Sequence, residues 1–176
     1  MGDAFDVLGI AVGFRAESRD VERAYVARAV EAHPDLVGSD DESARRMAEL
    51  NEAKGTLLDP ERRAIALLAR LGGAPAEADR SLPDGFLMEM MDVRERMEEE
   101  WGSGDAPSRS ASAQRWEAWG RVRREETMSR VAELFDAAAR ASEGERQSVL
   151  GAIRTQLNAW RYLERMLEQT RMPGPM

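Results

Sequence analysis

The chain has 176 residues, of which 43% are hydrophobic and 33% charged, with one histidine and no cysteine. A net charge of −8 and a pI near 4.9 disfavour general attraction to nucleic acid or to an anionic membrane. Without cysteine there is no disulfide, thiolate nucleophile or thiolate-held metal, and a single histidine leaves no structural zinc site.

The length allows one or two domains, and sparse β-branched residues point to an all-α fold. No apolar run is long enough to span a bilayer, and "MGDAFDVLGI" lacks the basic start of a signal peptide. Asp6 stands where a myristoylation motif wants Ser or Thr. A soluble cytoplasmic protein without a cofactor is expected.

The first element is a short helix in "DAFDVLG", capped by Asp3, with Phe5 and Leu8 turned inward. Ser18 is expected to cap a second helix in which Val21, Ala24, Tyr25 and Ala29 recur at spacings of three and four. That helix stops at His33, because Pro34 disfavours helical geometry in the residue before it. A third helix starts near the acidic "SDDES" and carries Ala44, Met47, Leu50 and Leu57. The fourth opens with "DPERR": Asp59 as cap, Pro60 at the first helical position and Glu61 in the first turn. Ala64, Leu67, Leu68 and Leu71 share one face of it, and Gly72-Gly73 end it.

Residues 74–83 are poor in large apolar side chains and read as a linker that sets the placement of the second domain. Three further helices are expected near 84–101, 112–142 and 144–170, with "WGSGDAPSRSAS" as a loose loop and 171–176 as a disordered tail. Trp116 and Trp119 are expected to pack at the start of the long helix. The fold class is thus all-α: an antiparallel helical hairpin with short helices over 1–73, then a three-helix bundle over 84–170.

His33, Pro34 and Asp35 form the most specific motif. No serine, cysteine or metal site accompanies them, so an enzyme using His33 and Asp35 would need a deep pocket at the loop. A stiff exposed loop ending in a carboxylate is better suited to gripping an arginine on a partner. On the bundle's first helix each residue advances about 100°. Phe86, Met90, Val93 and Met97 make its core stripe, whereas Leu87, Met88 and Met91 centre about 140° away and are flanked by Asp92, Glu95 and Glu99. On the last helix Ile153, Leu157, Trp160, Leu163 and Leu167 form the core stripe and Tyr162 points roughly the other way. Leu87, Met88, Met91 and Tyr162 therefore suit a recognition face, the alternative being packing against neighbouring helices.

The His33-Pro34-Asp35 loop between two antiparallel helices, with Tyr25 eight residues upstream, resembles a J domain. "DAFDVLGI", "LNEAKGTLLDPERRAIALLARLGG" and "FLMEMMDVRERMEEE" together resemble the HscB type, the J-protein of iron–sulfur cluster assembly, over about residues 3 to 169. The resemblance implies a non-enzymatic co-chaperone that stimulates the ATPase of a 70-kDa heat-shock-type chaperone. His33, Pro34 and Asp35 would make that contact, supported by Tyr25, Arg23 and Arg28. It further implies that Leu87, Met88, Met91, Asp92, Glu95, Glu99 and Tyr162 bind the iron–sulfur cluster scaffold protein. Two features depart from the usual J-domain pattern. Glu22, Val26, Ala27 and Glu31 fill much of a helix face that is commonly basic, and Ala32 replaces the usual aromatic residue, so docking should lean less on charge. Arg62 and Arg63 are expected to be solvated or partner-facing. A different client, or a helical adaptor without an iron–sulfur role, is the alternative.

Overall fold

The computed structural model describes residues 2–33, 40–103 and 106–171. Pro34, Asp35 and residues 172–176 of the expected tail lie outside them. Among the described residues there are seven helices and no strand: α1 (Ala4–Leu8), α2 (Ser18–Glu31), α3 (Asp40–Leu58), α4 (Pro60–Arg70), α5 (Phe86–Ser103), α6 (Ala106–Arg140) and α7 (Glu143–Arg171). None of them is long and apolar enough to cross a membrane. The chain divides into two compact units, Met1–Gly73 and Ala74–Met176.

In the first unit α1 begins where the Asp3 carboxylate accepts from the Phe5 and Asp6 amides at 3.0 and 3.1 Å. It ends at Gly9, whose φ of 66° is left-handed and whose missing Cβ leaves room for the Arg28 guanidinium. The N-cap of α2 is Glu17 rather than Ser18, and no side chain caps it. The Glu17 carbonyl already accepts from Asp20 and Val21, so the first turn closes one residue earlier than expected.

Helices α2 and α3 run antiparallel. Tyr25 on α2 meets Asn51 on α3, while Ala32, two turns later on α2, meets Ser43, two turns earlier on α3. That register exposes Ala44, which was expected inside, and buries Ser43 instead. The Ser43 hydroxyl is tolerated there because it donates to the Ala32 carbonyl at 2.6 Å, one of the orphan acceptors at the end of α2. Phe5, Leu8, Phe14, Val21, Leu50, Leu57 and Leu68 fill the core between the helices.

Helix α4 starts as its sequence requires, with the Asp59 carboxylate accepting from the Arg62 amide at 2.8 Å and Pro60 in the first turn. Arg63 departs from expectation. It is buried, 7% exposed, donating to the Leu57 carbonyl at 2.7 Å and to the Ala16 carbonyl at 3.2 Å. Its guanidinium lies 5.4 Å from the centre of the Phe14 ring. Arg62 stays exposed and donates to the Thr56 hydroxyl.

Arg70 of α4 bridges back to α1 through Asp3 and Asp6. Burial pushes the Asp3 carboxyl up, but the Arg70 hydrogen bond, the Asp6 amide, the Arg70 charge and the Phe5 amide together hold it below its ordinary value. A carboxyl whose pKa is lower in the folded state adds stability above the unfolded value, near ~4, and loses it as pH falls through the folded one. The first unit is therefore expected to loosen below about pH 4. Asp3→Asn keeps a good cap and should flatten part of that acid limb in a circular-dichroism pH titration. An unchanged limb would rule out this contribution.

The second unit is an antiparallel three-helix bundle. Glu89 and Glu100 of α5 meet Arg123 and Arg115 of α6, and Arg124 of α6 forms a two-pronged pair with Glu164 of α7. Gly120 lies against Leu167, where a Cβ would press on the leucine side chain, so glycine permits this close approach of α6 and α7. Met90, Val93, Met97, Leu163, Met166 and Leu167 make one buried cluster, with Phe86, Trp116, Trp119 and Tyr162 packed around it.

The expected loop at "WGSGDAPSRSAS" is mostly helix, since α6 already begins at Ala106. Pro107 falls in the first turn, where a missing N–H costs nothing, and the Ser and Ala residues after it accept helix. Trp116 and Trp119 consequently sit well inside α6, edge to face with centroids 5.8 Å apart. Residues 74–83, expected as a linker, are fastened along α7: the Arg154 guanidinium donates to the Ala74 carbonyl, and the Asn158 amide donates to the carbonyls of Asp79 and Ser81.

Candidate functional site

Two exposed surfaces, one in each unit, carry the residues singled out in the sequence. In the first unit α2 has a buried side, Val21 and Ala32, and an open side ending at exposed His33. The His33 amide donates to the Val30 carbonyl at 3.2 Å, so the last turn of α2 tightens as it delivers the histidine. The Ser43 bond to the Ala32 carbonyl anchors the same turn from α3. Pro34 and Asp35 lie outside the described residues.

Arg23 and Arg28 are exposed, but each is paired on its own helix, with Asp20 at 2.7 Å and Glu31 at 3.0 Å. Such surface pairs contribute little stability, about 0–1 kcal/mol, but they offset the positive charge of this face. Tyr25 is not on the open side. Its hydroxyl donates to the Asn51 side chain at 2.7 Å and the Lys54 ammonium lies 4.5 Å above its ring, so it clamps α2 to α3.

The open side also carries Val26 and Val30, 60% and 63% exposed. Arg23, Val26 and Val30 succeed one another at three- and four-residue steps on one face of α2, and His33 follows just beyond its C-terminal end. Val30 is not among the residues singled out from the sequence. A signal for it exists there, because a β-branched residue at that spacing has no partner stripe on the buried side of α2.

In the second unit the core side of α5 is filled by Met90, Val93 and Met97, at 1%, 6% and 0% exposure. Leu87, Met88 and Met91 are 48%, 73% and 61% exposed, and Asp92, Glu95 and Glu99 are exposed beside them. Tyr162 does not point away from the core as expected. It is half-buried, with its ring edge-on to Phe86 at 5.7 Å and 83°. The reason is that α5 and residues 74–85 cover that side of α7, which periodicity within α7 alone does not show. Phe86 directly precedes Leu87, so Tyr162 meets α5 where the apolar patch begins. Among the described residues no group of three or more His, Asp or Glu side chains is placed to hold a metal ion.

A DnaJ domain matches residues 3–66, and an HSCB C-terminal oligomerisation domain matches residues 82–171, which is just over half of the chain. The chain belongs to the HscB co-chaperone family. The HscB homolog of Bordetella pertussis is 26% identical over 180 aligned positions, covering 99% of this chain and 97% of that protein. The HscB homolog of Burkholderia mallei is 32% identical over 105 residues, covering 56% of this chain and 60% of that protein's length. Two solved HscB structures share the fold. Chaperone HscB from Vibrio cholerae has a TM-score of 0.72 at 20% identity, covering 96% of this chain and 95% of that one. Human HscB has a TM-score of 0.72 at 21% identity, covering 97% and 81%. An all-α chain with a J domain followed by a C-terminal helical domain is therefore the HscB arrangement, as the sequence resemblance implied.

Proposed function

We propose that this HscB-family chain stimulates the ATPase of a 70-kDa heat-shock-type chaperone and delivers to it an iron–sulfur cluster scaffold protein. The chaperone contact is assigned to His33, Pro34 and Asp35, with Arg23 and Arg28 beside it and Tyr25 holding α2 in place. The scaffold contact is assigned to Leu87, Met88, Met91, Asp92, Glu95, Glu99 and Tyr162. One observation carries the client half: α5 fills its core with one stripe of methionine and valine, yet leaves a second set of large apolar side chains in water. An exposed apolar patch rimmed by carboxylates is a binding surface, and methionine repacks readily against a partner.

The test is steady-state ATP hydrolysis by the chaperone with this protein, with and without the scaffold, alongside direct scaffold binding. Met88→Ala/Met91→Ala should weaken scaffold binding about tenfold or more while leaving stability within about 0.5 kcal/mol, since both side chains are exposed. The extra ATPase stimulation caused by scaffold should disappear with it. Unchanged scaffold affinity would place the client site elsewhere.

A further inference from the structure

Residues 74–85 and α7 enclose an open groove of about 480 Å³ whose lining includes Glu77, Arg80, Leu82, Arg161, Tyr162 and Arg165. Three guanidinium groups and a single carboxylate thus share its lining, in a chain whose net charge is −8. Arg80 and Arg165 are exposed, and neither has a salt bridge to a described residue. Buried Arg154 lies beside them; burial and then the nearby Arg161 charge lower its pKa, while Asp79 and Glu77 act in the opposite sense. Arg80 and Arg165, neither of them in a salt bridge among the described residues, leave positive charge on this lining that a bound anion would neutralise.

The groove is a built feature. Its outer wall is held by the Asn158 amide on the carbonyls of Asp79 and Ser81, at 3.0 Å each, and by Arg154 on the Ala74 carbonyl at 2.8 Å. Tyr162 and Leu82 give it an apolar side. Tyr162 also joins it to the apolar patch of α5, because its ring contacts Phe86, the residue before Leu87.

We propose that this groove is the second half of the client-docking surface and takes a short acidic segment of the protein that docks on Leu87, Met88 and Met91. The proposal rests on the client-docking reading above. Arginine suits carboxylates because its fork of N–H donors matches two carboxylate oxygens. The docking face is then polarised, with carboxylates of α5 on one side of the apolar patch and guanidinium groups beyond Tyr162. A partner with basic and acidic borders in the matching order binds in one orientation, and the reversed orientation sets like charges against each other. A long polyanion such as nucleic acid fits poorly, because the acidic remainder of the chain repels it.

The experiment has two arms, both on the full chain. In the first, the peptide acetyl-Leu-Glu-Asp-Glu-Leu-amide is titrated while backbone amide resonances are monitored by NMR. Saturable shifts at Arg80, Tyr162 and Arg165, weakened about tenfold in Arg80→Glu/Arg165→Glu, are expected. No saturable shift, or shifts that persist in the variant, overturns the proposal. So does inorganic pyrophosphate binding the groove in preference to the peptide. In the second arm, scaffold affinity is compared between wild type, Arg80→Glu/Arg165→Glu and Met88→Ala/Met91→Ala. Both variants should bind more weakly, and the arginine variant should also show a smaller salt dependence. Binding lost only in the methionine variant overturns the groove and keeps the client reading. Binding intact in the methionine variant removes the client reading, and the peptide titration then decides the groove alone. Both arginines are exposed, so the variant should keep the wild-type circular-dichroism spectrum and melting curve.

Discussion

Replacing His33 with glutamine is expected to reduce stimulation of the chaperone ATPase at least about tenfold, the loss typical of a central contact residue. Glutamine is similar in length and keeps an amide able to hydrogen-bond, but it loses the flat ring. The effect should not come from unfolding. His33 is exposed, and the backbone that delivers it is held by other groups: its own amide on the Val30 carbonyl, and the Ser43 hydroxyl on the Ala32 carbonyl. Stability should therefore stay within about 0.5 kcal/mol of wild type. The variant should also bind scaffold normally, since the scaffold residues are assigned to the other unit. Stimulation that survives the substitution would reduce the loop to a turn and remove the chaperone half of the proposal. Stimulation lost together with helicity would point instead to folding.

The largest stability effect is expected at Arg63. Truncation to alanine leaves the Leu57 and Ala16 carbonyls without their donor and strips the packing from Phe14. An unsatisfied buried carbonyl costs about 1–3 kcal/mol, and the lost side-chain contacts add to it. Two opposing terms temper the sum. Burial disfavours the guanidinium, lowering its pKa, and its Nε finds no partner. A loss of about 3 kcal/mol is the expected balance. Arg63→Met keeps the apolar stem over Phe14, so it should lose roughly half as much.

Hydrogen exchange of residues 2–33 and 40–73 reads this directly, with lower protection expected in α1, α3 and α4. Tryptophan fluorescence supplies an internal reference, because all four tryptophans lie beyond residue 100, in the second unit. An Arg63→Ala protein with wild-type protection in α4 would mean that the guanidinium contributes nothing net.

Local signals were sufficient at several helix starts, though not at Ser18, where the Glu17 carbonyl closes the first turn of α2 one residue earlier. Asp3 and Asp59 cap the helices directly after them and Pro60 starts α4, because capping involves only groups a few residues apart. The rotation of α5 likewise separates Met90, Val93 and Met97 from Leu87, Met88 and Met91, since one period orders one helix. The loop motif and the composition of the bundle's first helix were enough to suggest the family.

Tertiary structure decided what each face meets. Ser43 is inside and Ala44 outside because α3 is set by its register against α2, where an orphan carbonyl at Ala32 awaits a hydroxyl. Arg63 is buried because two carbonyls, one of them 47 residues away at Ala16, converge on its guanidinium. Tyr162 is half-covered, and a basic groove lies beside it, because residues 74–85 return along α7. Periodicity gives the angle of a side chain around its own axis. Which distant segment arrives at that angle, and whether it brings a carbonyl, a ring or a charge, depends on contacts between residues far apart in the chain.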